Sequence, residues 1–172
     1  MKPNPSSRVH PRPPAETLIT AVAVGSVFII IGAVFVFTPD LSGKIVNFFQ
    51  DMNTTAPFPF LGTSNSTISL PAPAHPDAHT ILYNAVMQFD IGIGILQVAI
   101  LAVRLYVRSP RKKIAETVDH TVFWLGAAVL VSVFLLAGTT TAWFAYWAAL
   151  IALIGVSMVT RAVVLFVTRR KG

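Results

Sequence analysis

Between Thr121 and Thr160 the chain carries 40 consecutive residues without a formal charge. As one helix rising 1.5 Å per residue, that run would be about 60 Å long, twice the hydrocarbon thickness of a bilayer. It therefore has to fold back on itself. The break is legible at Gly138-Thr139-Thr140-Thr141, where a glycine can close one helix and threonines can cap the next. This places a third membrane span at about 120–137 and a fourth at about 142–168. Soluble domains carry about 25% charged residues. Here the figure is 12%, against 54% hydrophobic residues, so lipid rather than water is the expected surroundings.

Two further segments have the length that a bilayer core demands. Thr17 to Phe37 is free of charge and predicts the first span. Its apolar run is too long for a cleaved signal peptide, so a retained anchor is expected. Ala21 and Gly25 make a small-xxx-small pair, and Gly32 follows two turns later, a pattern that lets another helix approach closely. The second span covers about 80–107 and contains Asp90. A carboxylate near the bilayer centre costs roughly 2.5–3.5 kcal/mol on insertion scales, so Asp90 is expected to face other helices. Helical spacing puts Tyr83, Met87, Asp90, Gly94, Gln97, Leu101 and Arg104 on one face, with Ile91, Ile95 and Ala99 opposite.

The fold class expected is all-α: a polytopic integral membrane protein built as a four-transmembrane-helix bundle, with a short amphipathic interfacial helix after the first span. That helix is read from Leu41, Ile45, Phe48, Phe49 and Met52, which share a face while Asp40, Lys44, Asn47 and Asp51 do not. Residues 1–16 are rich in proline and predict a disordered tail. Residues 38–79 form an outer connection, and the composition of its part from Asn53 to His79 leans to disorder. Residues 108–119 predict a cytoplasmic loop and 169–172 a basic cytoplasmic tail.

Basic residues set the expected orientation. Lys2, Arg8 and Arg12 lie in the first tail, Arg104, Arg108, Arg111, Lys112 and Lys113 flank the middle loop, and Arg161, Arg169, Arg170 and Lys171 lie near the end. Only Lys44 falls on the other side. By the positive-inside rule both termini are cytoplasmic in a multi-pass protein of the cell membrane. Trp143, Tyr146 and Trp147 would then form an outer aromatic belt. The net charge of +6 is accounted for by this placement, and no nucleic-acid partner is expected.

The candidate intramembrane polar site is Asp90 with Gly94, Gln97 and Tyr146, where the acid either binds a proton or cation or is hydrogen-bonded to a neighbouring helix. A second candidate, at the cytoplasmic side, gathers Arg104, Glu116, Asp119, His120 and Arg161, and is expected to lock helix ends together. His75-Pro-Asp-Ala-His79 brings two histidines and an acid close in sequence, but proline and context speak against a metal site. Asn53 and Asn65 begin glycosylation sequons in the outer connection. There is no cysteine, and no HExxH, GxSxG, phosphate-binding loop or nucleotide fingerprint is present. No cofactor and no enzymatic activity are therefore expected. The leading functional expectation is a structural or accessory membrane subunit that associates with itself or with other membrane proteins. The rival is a small homo-oligomeric channel or transporter using Asp90.

Overall fold

A computed structural model describes residues 14–57 and 69–170. In chain order, α1 spans Pro14–Phe37, α2 Leu41–Gln50, β1 Met52–Pro57, β2 Ser69–Pro73, α3 Thr80–Tyr106, α4 Arg111–Phe134 and α5 Thr140–Arg170, with short 3-10 turns at Pro76–His79 and Leu135–Ala137. Among the described residues the architecture is all-α apart from one two-stranded ribbon. Four of the helices are long and apolar enough to cross a membrane. The expected tail 1–16 and the sequon at Asn65 lie largely or wholly outside the described residues, as do Lys171 and Gly172. The first long helix starts at Pro14 rather than Thr17, since proline is tolerated in a first helical turn, where its missing N–H needs no partner.

α3, α4 and α5 pack in succession, and α1 rests on α3. The α3–α4 seam closes at Gly94, where any side chain would collide with Leu125 of α4. The α4–α5 seam closes at Gly126, where an added Cβ would stand 2.5 Å from Leu153 Cδ1. At both seams a large leucine side chain lies over bare glycine backbone, so the helices approach closely. A buried hydrophobic cluster lies toward the α4–α5 turn and includes Tyr83, Val131, Leu135, Trp143, Phe144 and Tyr146. The turn itself is built as the residues imply. Gly138 has φ 65°, the left-handed conformation that glycine adopts without cost. Thr139 Oγ1 then accepts the N–H of Ala142 at 3.1 Å and caps α5.

Three parts of the chain differ from expectation. The segment 108–119 is not a loop: α4 begins at Arg111, leaving only Val107–Pro110 as connection. Arg111 to Thr117 contains good helix formers, and Lys113 pairs with Glu116 one turn on at 3.0 Å, so charge here marks the water-facing end of a helix rather than a break. The connection 38–79 also carries ordered structure beyond α2. β1 and β2 pair antiparallel, with Met52 opposite Pro73 and Ala56 opposite Leu70, and the register is irregular between Asn53 and Ala56. Ala72 is fully buried beneath the ribbon, and the indole N–H of Trp143 donates to the Pro71 carbonyl at 3.1 Å. Finally, Trp143 and Tyr146 are core residues, each 8% exposed, and only Trp147 of the expected outer belt is exposed.

Candidate functional site

The face of α3 that carries polar residues is the one turned inward. Tyr83, Asp90 and Gly94 are buried and Met87, Gln97, Leu101 and Arg104 half-buried, while Ile91 and Ile95 are exposed. Asp90 is 5% exposed. No hydrogen bond reaches its carboxylate among the described residues, although Tyr146 of α5 lies within electrostatic reach. The close α3–α4 seam at Gly94, one turn further along, fixes the depth at which the acid sits. Gln97 does not join it. It is seven residues on, about 10 Å along the helix, and lines a different cleft together with Arg104, Lys113, Glu116 and His120.

That second cleft, of about 280 Å³, lies among α1, α3 and α4 near the basic end of the bundle. Its polar network ties all four long helices. Arg104 of α3 lies 3.5 Å from Glu16 of α1, donates to the Lys113 carbonyl of α4 at 3.0 Å and donates to the Thr117 hydroxyl. Ser109, in the short α3–α4 connection, donates to the other oxygen of Glu16. Glu116 of α4 accepts from Lys113 and, at 3.4 Å, from Arg161 of α5. Of the expected cluster, Arg104, Glu116 and Arg161 enter this network. Asp119 is half-buried and His120 exposed, and neither has an ion pair or hydrogen bond among the described residues. Glu16 joins the network from outside the expected cluster. Its prefix of prolines and basic residues reads as a tail, although an acid in a first helical turn is itself a helix-start signal.

At the opposite end, Asp51 closes α2 and gathers both histidines of the HPDAH stretch. It accepts the backbone N–H of His75 at 2.8 Å, Nδ1 of His75 at 2.8 Å and Nε2 of His79 at 2.9 Å. The two imidazoles engage different carboxylate oxygens, and among the described residues no three His, Asp or Glu side chains converge on a point suited to a metal ion. Hydrogen bonding from His75 holds the Asp51 carboxyl well below the usual range against the opposing pull of desolvation. The same bond raises His75 above its ordinary value of 6.5. Phe48 of α2 stands edge-on to His79, with ring centroids 5.2 Å apart, and tilts over Trp143 at 5.8 Å. The ion pair thus clamps α2 and the ribbon onto the bundle end. Asn53 lies exposed in β1.

The arrangement defines a class, a protein with four helices able to span a membrane, tied at both ends by polar contacts. No protein-family model, curated protein or solved structure matches the chain.

Proposed function

We propose that the chain is a non-enzymatic membrane subunit, structural or accessory, that associates with itself or with other membrane proteins. In this reading the four long helices cross the cell membrane, α2 lies at the outer surface, and both termini are cytoplasmic. One observation carries the proposal. α1 packs substantially on α3 alone, and none of the most apolar stretch of α1 is buried. Its Gly25 and Gly32 have open space where a side chain would stand. A helix tethered to a bundle by one neighbour and one half-buried ion pair, with small residues facing outward, is suited to receiving another helix.

The absence of cysteine gives a direct test. Gly25→Cys and Gly32→Cys, each alone, are oxidised in native membranes. The expected result is a cross-linked band of fixed size for each, either twice the chain mass or a single heterologous adduct. Ile151→Cys, on an exposed face of α5, serves as the comparison. Equal cross-linking at all three positions, or none at 25 and 32, would refute association through α1.

A second reading is favoured by a different observation, the buried Asp90 without a hydrogen bond among the described residues. There the acid is a proton or cation site in a small oligomeric channel or transporter. It requires flux in reconstituted vesicles that Asp90→Asn abolishes.

A further inference from the structure

Below α2 lies a cleft of about 210 Å³ whose walls are entirely apolar. Ile31 and Phe35 of α1 form one side, Ala85 and Phe89 of α3 the other, and Leu41 and Ile45 of α2 the roof. Ile31 is six residues before the end of α1, so the cleft reaches about 9 Å below the α1–α2 turn. A helix is about 10 Å across with its side chains, too broad for a space of this size, whereas an extended alkyl chain is not. No polar side chain lines the cleft, so nothing in it would orient a polar ligand.

The roof helix supplies the complementary group. Lys44 sits on α2 between the two roof residues and is half-buried. Its ammonium makes no ion pair or hydrogen bond among the described residues, although Asp40 and Asp51 stand at either end of the same helix. Apart from histidine it is the sole cation at this end among those residues. A flexible lysine stem that lies over apolar surface with its charge at the water boundary is suited to a phosphate at headgroup level.

We propose that this cleft binds one acyl chain of a membrane phospholipid, with the lipid phosphate against Lys44. The proposal rests on the bilayer-spanning reading above. Its occupant follows from the geometry: a cleft of about 210 Å³ with apolar walls, too small for a helix, under an amphipathic helix that carries Lys44 next to the lining residue Ile45.

The test uses the full chain in membranes. A phosphatidylglycerol analogue with a photoactivatable diazirine in mid-chain is incorporated, irradiated, and the labelled peptides are mapped. Labelling is expected to concentrate in 31–45 and 82–89, at least fivefold over the exposed 151–159 face of α5. Val86→Trp, which puts a large ring at a residue lining the cleft, should lower that labelling at least fivefold. The phosphatidylglycerol analogue should label the cleft more strongly than a phosphatidylcholine analogue, whose choline offsets the phosphate charge, and Lys44→Gln should abolish that difference. Uniform labelling of all exposed helices, or equal labelling of the Val86→Trp protein, would overturn the proposal. Resistance to alkaline extraction is measured on the same membranes. A chain released by alkali defeats the bilayer reading itself, whereas a resistant chain without cleft labelling defeats only the lipid site.

Discussion

Asp90 and Arg104 occupy one face of α3, and their surroundings are opposite. Asp90 is buried without a hydrogen bond among the described residues, whereas Arg104 is met by Glu16, Thr117 and the Lys113 carbonyl. An acid that gains nothing from its neighbours contributes cost rather than stability. Asp90→Asn is accordingly expected to leave the melting temperature in detergent unchanged or raised, and a fall of several degrees would show a partner that the geometry does not contain. Arg104 behaves differently. The side chains of Arg104 and Glu16 are 13% and 12% exposed, so removing one leaves the other charged and largely out of water. Breaking such a pair costs about 3 kcal/mol or more, whereas replacing both partners together is often far milder. Arg104→Leu should therefore destabilise strongly, and adding Glu16→Gln should recover part of the loss. Chemical denaturation of the four proteins of that cycle measures the coupling, and additive losses would mean that the pair does not hold α1.

At the scale of elements, the clamp between Asp51 and the two histidines has a pH dependence whose sign follows from the two shifts. Asp51 is depressed, so its contribution is fully present above the ordinary carboxylate value of 3.8 and is lost as pH falls through its lowered value. His75 is raised, so its contribution is fully present below 6.5 and is lost as pH rises through its raised value. The clamp is therefore tightest between about pH 4 and 6.5. Relative to the intrinsic exchange rate at each pH, hydrogen exchange of residues 51–57 and 69–79 should be most protected there and less protected at pH 8, and His75→Ala should flatten the profile. The turn between α4 and α5 depends on backbone geometry instead. At φ 65°, Gly138→Ala should cost about 1 kcal/mol, as left-handed backbone does for a residue with a Cβ, read from the melting temperature. These elements differ in how far the sequence reveals them, and the reason is the reach of their contacts. Gly138 and Thr139 act within their own turn, and the Asp90 face follows from helical spacing, so both are readable from neighbouring residues. The His75 and His79 contacts to Asp51 span 24 and 28 positions, and Trp143 reaches back 72 to Pro71. No local pattern encodes those pairings, so the ribbon reads as loose chain and Trp143 as a belt residue. The start of α4 is obscured for a different reason, since the charges of Arg111–Thr117 resemble a break where they continue a helix.

For the whole molecule the charges are divided by end. Arg104, Arg108, Arg111, Lys112, Lys113 and Arg161 lie at one end with Glu16, Glu116 and Asp119, while Lys44 is the sole non-histidine cation among the described residues at the other. Charge around short connections sets which end stays in the cytoplasm, and the Val107–Pro110 connection is short, so its flanking cations should count in full. Two single-cysteine variants in this cysteine-free chain read the outcome. Ser42→Cys, on exposed α2, should react with a membrane-impermeant maleimide in intact cells. Lys112→Cys should react only after permeabilisation, because removing one of these six cations leaves the imbalance in place. The stronger arm replaces Arg108, Arg111, Lys112 and Lys113 together by Gln in the Ser42→Cys background. Next to the short connection, that end then keeps Arg104 and Arg161 against Glu16, Glu116 and Asp119, and the basic residues near the two termini stay in place. A fraction of chains should insert reversed, lowering outside labelling of the thiol at position 42 while total membrane-bound protein is retained. If labelling at position 42 is unchanged, the four residues do not direct threading, and the polar network around Arg104 and Glu116 would have to be set by helix packing alone. If Lys112→Cys is already labelled in intact cells, the chain is threaded the other way, and α2 with its clamp faces the cytoplasm, where a neutral pH would place it above the window in which the clamp is tightest.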